Sequence, residues 1–328
     1  LELTVVDSAG TPVADTYVRL RPFGSAGPLG YDNPYVYTDA SGRASFAGLP
    51  PGPFVAEVEV YDSAIGDYAY AAVSGVLHAG QTTQATATAG TGVAYEFDLI
   101  GDDQFTYSID TYQGAIERQT NANGLFSVFD YAMEPDINDS YIGDGYIAQI
   151  DGSRRSLVVG PSFGEGVLFT RRVFSPQSGG FLRLYDEITN ALPYERTVTI
   201  QMRHEMDDYG IFTLDSAESP TTVTFVAEES PTMPVAGFVV GGPGAPVKPG
   251  QFDLPDASEP YDRASYEFRV RVPAFGTVAL LHFAAQRAPE NLEDLRQQLQ
   301  ALANLSDPNA LAGLTAQQKA LIRNFIVP

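Results

Sequence analysis

The sequence predicts a mainly β protein, two tandem β-sandwiches followed by a short helical segment. Three observations carry that prediction. Short apolar–polar alternations of period two recur through residues 1–285, separated by clusters of Gly, Pro, Asn and Asp. No strand–helix–strand alternation interrupts them, so a parallel sheet is not expected. After residue 285 the pattern changes to leucines at helical spacing.

The first domain is read as residues 1–92. Alternating runs at 3–6, 16–21, 35–38, 44–46, 54–61, 68–77 and 82–88 give about seven short strands, the pattern of a sandwich. Gly10 with Pro12 marks one hairpin turn and Asp39 with Gly42 another; Phe46 and Leu49 are candidate core residues. Val6-Asp7, Gly10-Thr11-Pro12-Val13, Val18-Arg19-Leu20, Thr38-Asp39, Gly42-Arg43, Phe46 and Leu49-Pro50-Pro51-Gly52 together resemble the carboxypeptidase regulatory-like domain. That resemblance implies a small prealbumin-like sandwich acting as an accessory module without catalytic residues. Residues 89–92, Ala-Gly-Thr-Gly, read as a short junction.

Residues 93–285 read as one large antiparallel β-sandwich. Its clearest stretch is 167–203. Alternating runs there are joined by turns at 176–180 and 190–193, which predicts a three-stranded meander with one face in a core and the other in water. Leu182, Leu184 and Ile188 alternate with Arg183, Tyr185 and Glu187; Val198, Ile200 and Met202 alternate with Thr197, Thr199, Gln201 and Arg203. The run Arg171-Arg172-Val173-Phe174-Ser175-Pro176, the turn Gly179-Gly180-Phe181 and the run ending Gln201-Met202-Arg203 resemble the supersandwich domains of bacterial extracellular proteins. Some of those accompany carbohydrate-active enzymes.

Residues 286–328 read as C-terminal helices and linker. Pro289 suits a first helical turn, and Leu292, Leu295, Leu299 and Leu302 then recur on one face. Asp307-Pro308 is expected to open another short helical turn that Gly313 ends. Thr315 with Gln318 has the spacing of a capping box ahead of Leu321 and Phe325. The apolar stripe formed by Leu292, Leu295, Leu299, Leu302, Leu321 and Phe325 is a candidate interface with a further copy or a neighbouring domain. Both chain ends read as cut from something longer, and the domain order resembles a repeat unit of long bacterial surface proteins.

Composition narrows the function classes. The 328 residues carry 41 acidic and 19 basic side chains, a net charge of −22. That acidity argues against nucleic acid and against anionic membranes as partners. No apolar run reaches the length of a membrane-crossing helix, so no membrane insertion is expected. There is no cysteine, hence no disulfide and no thiolate metal site.

Chemical motifs are sparse. Gly160-Pro161-Ser162-Phe163-Gly164 matches Gly-x-Ser-x-Gly, but a strand rather than a helix follows, so it reads as an ordinary loop. His204-Glu205 opens a zinc-protease pattern that fails at Asp208 and is placed at a strand end. His78 and His282 read as edge or packed histidines. The acidic stretch 134–144 offers Asp136, Asn138, Asp139 and Asp144 as oxygen donors for calcium, although the EF-hand register fails; a solvated turn is the competing reading. Tyr31, Tyr35, Tyr37, Tyr68, Tyr70, Tyr141 and Tyr146 are candidate sugar-stacking rings, and residues 31–37 equally suit a protein interface. The absence of Trp weakens the sugar reading. The leading expectation is a non-catalytic extracellular structural or adhesion module, assembling head-to-tail into a fibre through its helical stripe. The alternative is a polysaccharide-binding or polysaccharide-processing accessory region of a secreted carbohydrate-active enzyme.

Overall fold

Alternation of period two places every second side chain on one sheet face, and twice in this chain two such faces close on each other. The computed structural model describes all residues except 8, 25–26, 29–33, 63–66, 89–95, 102–104, 112, 118–127, 139, 142–147, 151–154, 165, 229–231 and 255–260. The protein is mainly β, with large antiparallel sheets and short C-terminal helices.

The N-terminal sandwich contains β1 (Glu2–Val6), β2 (Tyr17–Gly24), β3 (Gly27–Pro28), β4 (Tyr35–Tyr37), β5 (Arg43–Ser45), β6 (Gly52–Asp62), β7 (Asp67–Leu77) and β8 (Gln84–Thr88). One sheet runs β5-β1-β8, with β8 parallel to β1; the other runs β3-β2-β6-β7, with β4 beside β2. Leu3, Val5, Val18, Leu20, Phe54 and Val58 fill the space between them. The two sequence-read turns form. Asp7 Oδ1 accepts the amides of Thr11 and Ala9, and Asp39 Oδ1 accepts the Ser41 hydroxyl and the amides of Arg43 and Ser41. These bonds favour the charged carboxylates and lower the pKa of both aspartates. Phe46 is buried and Leu49 packs against the same core. This sandwich leans on the larger one where Val55 meets Leu168.

The larger unit contains β9 (Glu96–Ile100), β10 (Thr106–Asp110), β11 (Ile116–Glu117), β12 (Phe129–Ile137), β13 (Ser140–Tyr141), β14 (Ala148–Ile150), β15 (Ser156–Gly164), β16 (Val167–Phe174), β17 (Leu182–Asn190), β18 (Arg196–Leu214), β19 (Thr222–Ala227), β20 (Val235–Val239), β21 (Phe252–Asp253), β22 (Tyr261–Val272) and β23 (Thr277–Arg287). Hydrogen bonds link them in the order β14-β15-β16-β17-β23-β20-β19-β18-β12-β11-β10-β9, with β22 on β18 and β21 on β22. The sheet doubles over at β18. Its first half pairs with β12 and β22; after a register shift between Glu205 and Gly210 its second half pairs with β19. Gly210 is required there, because a Cβ would meet the Val226 carbonyl at 2.3 Å. The two layers face each other over one core in which Phe129 and His204 touch Phe238, and Phe268 touches His282.

Two readings of the central stretch change. β17 pairs with β16 and β23, not with β18, so the expected meander is a hairpin followed by a crossover to the opposite layer. Asn190 holds that crossover: its Nδ2 donates to the carbonyls of Tyr194 and Pro273, and its Oδ1 accepts from the Leu192 amide. The outer face of β17 is also not in water. Tyr185 and Arg183 lie under the C-terminal segment.

That segment is a 3-10 turn (Pro289–Asn291), α1 (Leu292–Ala303) and α2 (Ala316–Leu321). The Thr315 hydroxyl accepts from the Gln318 amide and the Gln318 side chain accepts from the Thr315 amide, the reciprocal cap read from sequence. Residues 307–313 form turns rather than a helical turn, with Gly313 at φ 75°. The candidate interface stripe is consumed internally. Leu295, Leu299, Leu302 and Phe325 are buried against Phe181, Tyr185, Val239, Leu281 and Phe283, with Leu292 and Leu321 at the margin. Each fully buried leucine contributes about 1.5–3 kcal/mol, which drives the helices onto their own sheet rather than outward. Polar clamps fix the docking. Arg183 donates to the carbonyls of Ala310 and Ala312, its guanidinium lies 4.6 Å from the Phe174 ring, and burial lowers its pKa to about 10. Asn324 both donates to and accepts from the backbone of Leu281.

Candidate functional site

Among the described residues, no element covers the outer face of the second layer. β12, β18, β22 and β21 lie side by side there, and their register sets outward side chains in rows across the strands. One row is Tyr131, Glu205 and Arg263; the next is Glu134, Arg203, Ser265 and Asp253; a third is Asp136, Gln201 and Glu267. The first two rows and Gln201 line a groove of about 600 Å³, with His204 and Ala264 beneath it.

A bulge makes the groove. Register slips between Ala132 and Glu134, and Met133 adopts φ 61°, the left-handed region that costs a non-glycine residue about 1 kcal/mol or more. Both Tyr131 and Glu134 thereby reach the groove while Met133 stays in the core. The Met133 carbonyl turns inward and accepts from Arg171 Nη1. Arg171 is fully buried. Its Nε and Nη2 grip the Asp186 carboxylate at 2.7 and 2.8 Å, and its Nη1 also reaches the Gly114 carbonyl at 3.1 Å. A Cβ on Gly114 would lie 2.6 Å from Arg171 Cδ, so a larger residue there would displace the guanidinium. A buried ion pair survives only when geometry is good and the remaining donors are satisfied, and here backbone carbonyls satisfy them.

The groove is polar and interconnected. Arg203 pairs with Asp136, whose side chain is 1% exposed; Arg263 Nη2 bonds Glu205 at 2.7 Å; Gln201 Nε2 donates to the Ser265 hydroxyl. Burial raises the Glu134 pKa; Arg203 opposes the shift, Glu205 and Asp110 add to it, and a bond from Gln113 opposes it. The Tyr131 hydroxyl is pushed up to about 12, first by burial and then by its bond to Glu117, so it is a protonated donor at neutral pH. Tyr131 as a whole is 43% exposed at the groove edge. The arrangement offers carboxylate acceptors, amide and guanidinium donors, a hydroxyl and one ring face, so it can both donate to and accept from a polar ligand.

Of the residues nominated from sequence, His204 and Glu205 line the groove and Asp136 stands in the row beside it. Asp136 is committed to Arg203, and Asn138 Oδ1 accepts from the Thr199 amide, so two of the four proposed calcium donors serve strand pairing. Asp139 and Asp144 lie outside the described residues. Among the described residues no cluster of three or more His, Asp or Glu side chains suits a metal. Ser162 is not on a loop but on β15, paired with Phe169 beyond a bulge at Gly160. His204 is mid-strand rather than at a strand end, buried 4.1 Å from the Phe238 ring, while Glu205 faces the groove. His282 is buried, its Nε2 3.7 Å from Asp186, too far for a hydrogen bond. Burial holds both imidazoles neutral, lowering His204 to about 3 and His282 to about 4. His78 is exposed near Phe275. Tyr35 and Tyr37 are exposed and gather with Tyr17, at ring distances of 5.3 and 5.8 Å. Tyr31 and Tyr146 lie outside the described residues, as do the side chains of Tyr68, Tyr70 and Tyr141. The groove residues had one sequence signal, the polar half of the alternation on β18 and β22, which reads equally as solvated surface.

No protein-family model matches this chain, and no curated protein matches it. Solved structures with some likeness include heparan sulfate lyase HepC from Pedobacter heparinus, at 9% identity and TM-score 0.40, over 61% of this chain and 36% of that one. The polysaccharide lyase BACCELL_00875 is similar at 10% identity and TM-score 0.40, over 58% and 34%. The 4-alpha-glucanotransferase from Thermococcus litoralis is similar at 9% identity and TM-score 0.31, over 58% and 37%. The chain spans about a third of the length of each. At these TM-scores the likenesses carry no argument about what this chain binds or does.

Proposed function

We propose that this chain is a polysaccharide-binding β-sandwich region whose ligand lies in the groove across β12, β18, β22 and β21. The observation that carries the reading is the rows of outward polar side chains bordered by the Tyr131 ring. Sugar hydroxyls pair with planar carboxylate, amide and guanidinium groups, and the apolar face of a pyranose stacks on an aromatic ring. The proposal assigns binding, not bond cleavage. It places the working site outside the cell, where polysaccharides are met, and leaves the small sandwich as an accessory module, in keeping with its regulatory-like motifs. Head-to-tail assembly loses its support, because the helical stripe that motivated it is packed on its own sheet.

The test is binding of the whole chain to a polysaccharide panel by affinity gel electrophoresis and calorimetry. Tyr131→Ala and Gln201→Ala are expected to weaken binding while leaving the thermal melt in place. Binding that persists unchanged in both variants would remove the groove from the proposal.

A further inference from the structure

We propose that the groove selects a neutral glycan, a chain of hydroxyl-bearing sugars without carboxylate or sulfate groups. This rests on the polysaccharide-binding reading and names its ligand class. A polyanion is recognised by guanidinium forks offered to it. Among the described residues the groove has two arginines, and both are paired, Arg203 with the buried Asp136 and Arg263 with Glu205 on the exposed rim. To grip a sulfate or uronate, Arg203 would have to leave Asp136, a carboxylate with almost no solvent access. Stranding a buried charge is far costlier than a surface contact is favourable.

The remaining charge points the same way. Glu134, Glu205 and Asp253 line the groove against Arg203 and Arg263, and Asp136 sits behind Arg203. Asp110 and Glu117 press their charge on the same patch beside Tyr131. The chain as a whole carries −22, so the long-range field also repels a polyanion. Ionised carboxylates only accept hydrogen bonds, and sugar hydroxyls are donors that meet them with charge-assisted bonds. An acidic rim that rejects polyanions therefore favours neutral polyols.

The experiment titrates the full chain with neutral polymers (mixed-linkage β-glucan, xylan, galactomannan, soluble starch) and with anionic ones (heparin, alginate, polygalacturonate). Binding to at least one neutral polymer is expected, with none to the anionic set. Raising salt from about 50 to about 500 mM should leave that binding nearly unchanged, since no net charge is neutralised. The double variant Glu134→Gln/Asp253→Asn is expected to lose about tenfold in affinity per charge-assisted bond removed. Binding to an anionic polymer that the groove variants abolish would overturn the neutral class and keep the groove. Binding to neither set would overturn the polysaccharide reading itself. Neutral binding indifferent to the double variant would overturn the role given to the carboxylates.

Discussion

On β23 the residues pointing away from the central core are Ala279, Leu281, Phe283 and Ala285; on the first half of β18 they are Thr197, Thr199, Gln201, Arg203 and Glu205. Both strands alternate with the same period and both bury their other face in one core. The apolar outer face recruits the C-terminal helices and closes. The polar one is uncovered among the described residues and gathers a groove. The side chains of alternate positions thus decide which side of a sandwich becomes structure and which is left for a ligand. Arg171 connects the two sides, since it sits on the inner face of the closed layer and holds the bulge of the open one through the Met133 carbonyl.

That contrast can be broken first at Arg171. Arg171→Met leaves Asp186 buried without its partner and is expected to cost about 3–5 kcal/mol in urea unfolding, while the double change with Asp186→Leu recovers most of it. A single variant as stable as the parent would show the pair to be dispensable. On the closed face, Leu299→Ala should cost about 2–5 kcal/mol, because the side chain is fully buried against Gly237 and its neighbours. Unaltered denaturant midpoints would mean that the helices do not dock as described. Acid offers a third probe. His204 and His282 have pKa values depressed from 6.5 to about 3 and about 4, so the unfolded chain takes up protons first. Their contribution is intact above pH 6.5 and falls as pH drops from there towards 4 and 3, by about 2 kcal/mol per histidine at pH 5. Equal stability at pH 5 and pH 7.5 would contradict neutral buried imidazoles. Thr315→Ala should cost about 1 kcal/mol by uncapping α2, seen as faster amide exchange in residues 316–321. The smallest effect belongs to the open face, where Gln201→Ala should change stability by less than about 0.5 kcal/mol in the same urea assay. A loss rivalling that of Leu299→Ala would erase the distinction between the faces.

Much of the scaffold was legible because its signals are local. The turns at Asp7 and Asp39, the reciprocal cap at Thr315 and the alternation of Leu182, Leu184 and Ile188 all depend on residues a few positions apart. The groove was not legible, because Glu134, Arg203, Ser265 and Asp253 come from four strands and meet only through register. Nor could the acidic stretch 134–144 disclose that Asp136 is committed to Arg203, more than sixty positions away. The partner of the helical stripe was illegible for the same reason: periodicity identifies an apolar face but not the surface that covers it.

By itself the sequence determined the mainly β class, the C-terminal helices, the turns at Asp7 and Asp39 and the cap at Thr315, and the alternation of side chains along most strands. Tertiary structure alone decided that β18 would serve both layers, that the chain would cross between them at Asn190, that Met133 would bulge around Arg171, and that the helices would return to their own sheet. The division follows from range. Alternation and capping are properties of neighbouring residues, whereas pairing, crossover and docking are set by apolar area and charge that become neighbours only once the chain has folded.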